Sequence, residues 1–289
     1  MKKIGFLDFF LDEWHANNYP GWIRNNIAAK NRQVELAYAY AEIDKAGGLT
    51  TGQWCEQHQL EAVSSIEELV EKSDYLIILS PDHPEHHERL AQLPLQAGKP
   101  IYMDKTFSPD LAAGIRMFDR AEQYATPLFS SSALRFAEQL ASYPNEKINA
   151  QSIEYIASTG PGQFDNYSVH QFEMIVAMMG TGANRLKSFP TANGRLLIIQ
   201  YEDGRQASMQ QMSEAPFQLN MQLSDGSSVC VSEMSHIFER LIDSMLDFFE
   251  TGGKSPVPRA ETLEIMALIE AGKQAIAKPD MWVEIVKDR

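Results

Sequence analysis

The sequence predicts an α/β protein, a doubly wound parallel sheet over residues 1–132 followed by an α+β domain with a large, mostly antiparallel open sheet over residues 133–289. Two observations predict it. Short apolar runs alternate with helical patterns through the first half, as in a parallel sheet buried on both faces. In the second half the runs lengthen, alternate with period two and turn at Asp-Gly pairs, which marks antiparallel hairpins.

The first-half strand candidates are Ile4–Leu7, Val34–Tyr40, Tyr75–Leu79, Pro100–Met103 and Pro127–Ser130. Ser65–Lys72 reads as a helix opened by a Ser65/Glu68 capping box, and His87–Gln96 has helical spacing. Ser108-Pro109-Asp110 precedes LAAGIRMFDRAEQYA, read as a helix with proline in its first turn. After QSIEYIAS, two hairpins are expected to turn at Asp203-Gly204 and Asp225-Gly226, followed by helices near Ser235–Thr251 and Ala260–Ala277.

Composition narrows the function classes. Hydrophobic residues are 44% and charged residues 22%, an ordinary balance for a globular chain. With 39 acidic and 25 basic side chains the net charge is −14, and no basic block occurs, which argues against nucleic acid as a partner. The two cysteines, Cys55 and Cys230, make neither a disulfide framework nor a thiolate zinc site. Asp8, Asp12 and Glu13 interrupt the apolar N-terminus, and no apolar run approaches the roughly 18 residues of a membrane span, so a soluble cytoplasmic protein is expected.

Several motifs in order resemble one family. SDYLIILSP, His87, then Gly98 in LQAGKPIYMDKTFSPD are similar to the strand, loop, helix and Glu-Lys-Pro strand end of the Gfo/Idh/MocA oxidoreductases. GQFDNYSVHQFEMIVAMMG resembles their Gly-Gly-x-x-x-Asp-x-Gly-x-His motif, and SPVPRAETLEIMALIEAGKQAI their C-terminal helix. The likeness covers most of residues 60–180 and returns from about 235 to 289. It implies a Rossmann-like first domain, NAD or NADP as cofactor, a sugar, inositol or related polyol as substrate, and a homo-oligomer, dimer or tetramer, built on the open face of the second sheet.

The resemblance also assigns residues. Lys105 falls on the family lysine, with Asp104 for the glutamate and Thr106 for the proline, and His170 falls on the motif histidine. These imply a pair in which an ammonium stabilises a developing alkoxide while an imidazole relays its proton. Asn166 stands for an aspartate; an amide orients a hydroxyl but accepts no proton, and Ser168 replaces a glycine in the same turn. Losing proline at Thr106 removes the usual route to a cis peptide, which predicts a changed path past Lys105. Ser80, Pro81, His87 and Asp104 fall on cofactor-side positions, and Arg135 in SSSALRF on a position facing an anionic or polyhydroxylated substrate, or else on an interdomain salt bridge.

The first loop departs most. Asp8, Phe10 and Glu13 stand where the family has its three dinucleotide-loop glycines, residues that let backbone turn and a pyrophosphate approach amides. The carboxylates of Asp8, Asp12 and Glu13 are expected to take those amides and to oppose a diphosphate at about 1–4 kcal/mol per close charge pair. The acidic residue that usually holds the ribose is missing, Glu42 being one step late. NNYPGWIRNNIAAKNRQ reads as a kinked helix or loop, with Tyr19 and Trp22 as side chains that could fill the nucleotide pocket. Asp82, His83, His86 and His87 offer metal-ligand chemistry, but solvated loop residues plus the one histidine implied by the family resemblance are the expectation, with no metal. Three functions stay open: a polyol oxidoreductase, a catalytically silent binding relative, and a cofactor-free lyase or epimerase using the same lysine and histidine.

Overall fold

A computed structural model describes residues 1–252 and 254–287. The chain forms two compact units, Met1–Ser131 with Leu241–Pro258, and Ser132–Arg240 with Arg259–Arg289. Against the single boundary expected at 132/133, the segment Leu241–Pro258 returns to the first unit.

In the first unit the elements follow as β1 (Lys2–Asp8), α1 (Trp14–Lys30), β2 (Val34–Ala41), α2 (Thr51–His58), β3 (Glu61–Ala62), α3 (Ile66–Lys72), β4 (Tyr75–Ile78), α4 (His87–Leu90), β5 (Ile101–Met103), α5 (Leu111–Gln123) and β6 (Leu128–Ser130). The strands pair in parallel in the order β3-β2-β1-β4-β5-β6. Each expected strand is present, and the fully buried β4 run Tyr75–Ile78 shows why such strands read as continuous apolar stretches.

Local chemistry sets the helix ends. Ser65 accepts from Glu68 N, but the Glu68 carboxylate turns to Ser64 N and Oγ, so only half of the expected capping box forms there. A complete box sits at Thr50 and Gln53, opening α2. The expected helix over His87–Gln96 is broken into α4 and 3₁₀ turns at Pro84–His86 and Pro94–Gln96, because a proline cannot continue the backbone ladder. Asp110 caps α5 through Ala113 N at 2.7 Å, so Pro109 lies before the helix and outside its first turn.

The second unit continues with β7 (Ile153–Gly160), α6 (Phe164–Met179), β8 (Ala183–Thr191), β9 (Gly194–Tyr201), β10 (Gln206–Met212), β11 (Gln218–Leu223), β12 (Ser228–Val231), α7 (Ile237–Glu250), α8 (Arg259–Ala277) and β13 (Val283–Glu284), with α7 passing into the first unit at Leu241. Its sheet runs β12-β11-β7-β10-β9-β8-β13, antiparallel except for the parallel pair β7/β10. Gly204 and Gly226 take positive φ, 91° and 84°, in the two hairpin turns, where a side chain would be strained. Leu197, Ile199, Leu219 and Met221 point into the core beneath α6 and α8, while Asn220 and Gln222 alternate to the other face.

The returning segment is held by stacking and charge. Phe249 stacks on Tyr75 with ring centroids 4.9 Å apart, and Phe248 meets Phe129 edge-on at 4.9 Å. Arg32, buried just past α1, donates to Asp243 at 2.8 Å, to Asp247 at 2.6 Å and to Glu250. Arg32→Ala removes the cation shared by Asp247, Glu250 and Asp243, of which Asp243 keeps Lys30, and a loss of roughly 2–3 kcal/mol is expected, read as a lower urea midpoint at unchanged slope. An unchanged midpoint would show that the aromatic contacts alone hold the segment.

Candidate functional site

In the first unit the site is the loop Asp8–Glu13 between β1 and α1, with the ends of β4 and β5 beside it. Glu13 is the N-cap of α1, and its carboxylate accepts from His15 N at 2.7 Å and from Ala16 N. These are the amides that an anion at this helix start would use. Asp8 is fully buried; its Oδ1 accepts from Phe9 N and from Ser80 Oγ, each at 2.6 Å, while Oδ2 has no partner. Asp12 departs from the expectation: it turns away to Leu49 N and Asn17 Nδ2, each at 3.0 Å, and leaves the helix amides to Glu13.

Burial dominates the electrostatics. It pushes the Asp8 carboxyl up to about 7, against hydrogen bonds from Ser80 and Phe9, and the Glu13 carboxyl up to about 8, with the Asp8 charge adding to the effect. Asp104 lies below the usual carboxylate range despite its burial, because His15 stands against it and Lys105 is close. His15 is raised in turn, the Asp104 charge outweighing burial.

Asp104 also anchors a buried chain. Its Oδ1 accepts from Tyr102 OH at 3.0 Å and from Lys105 N at 2.8 Å, and Tyr102 OH lies 3.2 Å from Tyr19 OH. Tyr19 is therefore core, stacked on His15 at 5.6 Å within an unbroken α1 that accommodates Pro20, in place of the expected kink or loop. Trp22 is partly exposed and touches Tyr19 and Trp14. Lys105 is buried with Nζ 3.4 Å from Pro81 O and 3.4 Å from Asp82 Oδ1. The Lys105–Thr106 peptide is cis although residue 106 is not proline.

His87 is fully buried between Phe107 O at 3.0 Å and Leu79 O at 2.5 Å, outside any histidine cluster. The groups that approach are His83, Glu85 and His86, whose ligand atoms lie within 4.8 Å of one another. Glu42 pairs with Arg89.

In the second unit, His170 and Asn166 stand four residues apart on α6 and so on one face. His170 Nδ1 lies 2.7 Å from Ser132 Oγ, a neighbour 38 positions away that no sequence signal marks. Ser132 Oγ also accepts from Leu134 N at 3.2 Å, so its hydroxyl proton can serve Nδ1, and as donor or acceptor it suits either imidazole tautomer. Ser168 is fully buried with its hydroxyl unpartnered. Arg135 is engaged with Glu173 and, at 2.6 Å, with Glu261, both in its own unit, which leaves Nη2 without a partner and makes the bridge intradomain where an interdomain one was the alternative.

The class these two units define is a parallel nucleotide-binding-type sheet followed by a mixed-sheet domain. Residues 24–131 match the Gfo/Idh/MocA family, described as an oxidoreductase family with an NAD-binding Rossmann fold, so the resemblance is borne out over that stretch. Solved structures of the same fold include GenD2 from gentamicin A biosynthesis in complex with NAD, 12% identical, TM-score 0.76, covering 99% of this chain and 97% of that one. A putative myo-inositol dehydrogenase from Sinorhizobium meliloti 1021 is 13% identical, TM-score 0.76, with 99% and 100% covered. A scyllo-inositol dehydrogenase from Lactobacillus casei is 15% identical, TM-score 0.76, with 98% of each chain covered. No curated protein matches the chain. Among the described residues no helix is long and apolar enough to cross a membrane.

The family's cofactor can be tested against these residues. The α1 amides are taken by Glu13, Asp8 lies behind it, and Phe10 and Trp14 wall a cavity of about 180 Å³, below the roughly 300 Å³ at which ligand pockets usually begin. A dinucleotide diphosphate does not fit this loop.

Proposed function

We propose that this chain acts on a sugar, an inositol or a related polyol through Lys105 and His170, as a divergent relative of the Gfo/Idh/MocA oxidoreductases whose first loop has lost the family's diphosphate grip and whose chemistry is that of an epimerase or lyase. The carrying observation is the Glu13 carboxylate seated on the His15 and Ala16 amides. In this reading the Lys105 ammonium binds a substrate hydroxyl and stabilises negative charge on its oxygen. His170 moves the proton, with Ser132 accommodating either tautomer, and Asn166 orients a second hydroxyl. Chemistry within reach of these groups alone is proton transfer at a carbinol oxygen or at the carbon beside a carbonyl, the step of an epimerase or lyase. Arg135, spent on two carboxylates, holds its own unit together.

A second reading, NAD(P)-dependent dehydrogenation, is favoured by the family match and by the NAD-bound structural neighbour. Deuterium exchange at carbon into a panel of aldoses, ketoses and keto-inositols in D₂O, followed by NMR with no cofactor added, separates the two. We expect exchange into one substrate class, reduced about 10²–10³-fold in Lys105→Ala. Exchange or turnover seen only when NAD(P) is supplied would replace this reading by the second.

A further inference from the structure

The loop that rejects a diphosphate has the opposite charge preference. A cavity of about 180 Å³ is lined by Asp8, Glu13, Asp82, Phe10, Trp14 and Ser80. Asp8 is 1% exposed and its Oδ2 has no partner, although a buried carboxylate oxygen is costly to leave unpaired. Taking about 30 Å³ for each water-sized group, the space suits roughly six non-hydrogen atoms. Carboxyls and aromatic faces together are the chemistry that binds an organic cation, by charge-assisted hydrogen bonds and by the negative face of the rings. One ammonium and one imidazole already line the cavity. Lys45 is engaged, its Nζ donating to Asp12 O at 2.7 Å and lying 5.4 Å from the Phe10 ring centre, and His83 is paired with Glu85 at 3.2 Å.

We propose that this cavity binds a small primary ammonium of about the size of a four-carbon amine or diamine, with the carboxyls of Asp8 and Glu13 as its acceptors and Phe10 as its apolar wall. The inference shares the loop geometry with the proposed function but not its substrate chemistry. The test is calorimetric titration of the full-length protein with 1,4-diaminobutane, with 1,4-butanediol as the neutral analogue of equal length. Sub-millimolar binding of the diamine and none of the diol is expected, weakened tenfold or more in Asp8→Asn and in Glu13→Gln. Should Asp8→Asn fail to fold, Glu13→Gln and the half-buried Phe10→Leu carry the test, each expected to weaken the diamine. No diamine binding at millimolar concentration, equal binding of the diol, or undiminished affinity in folded variants would overturn the proposal. Absent diamine binding together with absent dinucleotide binding defeats this inference and leaves the proposed function standing; dinucleotide binding defeats the latter whatever the diamine does.

Discussion

Arg135→Ala is expected to destabilise the protein by about 3–5 kcal/mol, a fall in Tm of roughly 6–15 °C. The guanidinium bridges Glu173, which is 3% exposed, and Glu261, and its removal takes the cation away from a carboxylate held in the core, to which Ser132 N also donates at 3.2 Å. A buried ion pair contributes little net stability when intact, but breaking it from one side costs the full desolvation of the remaining charge. Adding Glu173→Gln to Arg135→Ala should therefore recover part of the loss. If Arg135 instead served the substrate, Arg135→Ala would keep its Tm and lose only ligand affinity.

Stability should also fall as pH rises through the neutral range. Asp8 and Glu13 have ordinary values of 3.8 and 4.5 and folded values of about 7 and about 8. Between about pH 4 and pH 8 the unfolded chain has released these protons while the folded chain keeps them, so raising pH favours unfolding. His15 acts in the same direction: its value is raised by Asp104, so the stability it adds is present below its ordinary 6.5 and is lost as pH rises through its folded value. Asp104, held low, costs stability only in acid, below the ordinary carboxylate range. Urea unfolding at several pH values should show a decline on the order of 2–4 kcal/mol from pH 5 to pH 8, flattened in Glu13→Gln. A stability that rises over that interval would mean that the two carboxyls are ionised and well solvated.

The strands were legible because a buried parallel strand must be apolar along its whole length, and Tyr75–Ile78 and Ile101–Met103 leave little other choice. The Asp-Gly turns fixed two hairpins for a similarly local reason. What escaped was either very short or set by distant partners. Glu61–Ala62 is a two-residue strand, and α2 carries a weak apolar face, though its Thr50/Gln53 box was there to be read. Ala183–Thr191 is charged and carries Pro190, which hides a strand. In the site, the glycine positions Asp8, Phe10 and Glu13 could be located by frame, and the capping role of Glu13 follows from a carboxylate at a helix start. The turn of Asp12 toward Leu49, the Ser132 contact with His170 and the pairing of Arg135 with Glu173 and Glu261 join residues 37 to 126 positions apart. No local pattern encodes those contacts.

Calorimetric titration with NAD(H) and NADP(H) at low salt tests whether the Glu13 cap on the α1 amides excludes a dinucleotide. No binding up to millimolar concentration is expected in the wild type. Micromolar binding of either dinucleotide would contradict it and return the protein to the dehydrogenase reading.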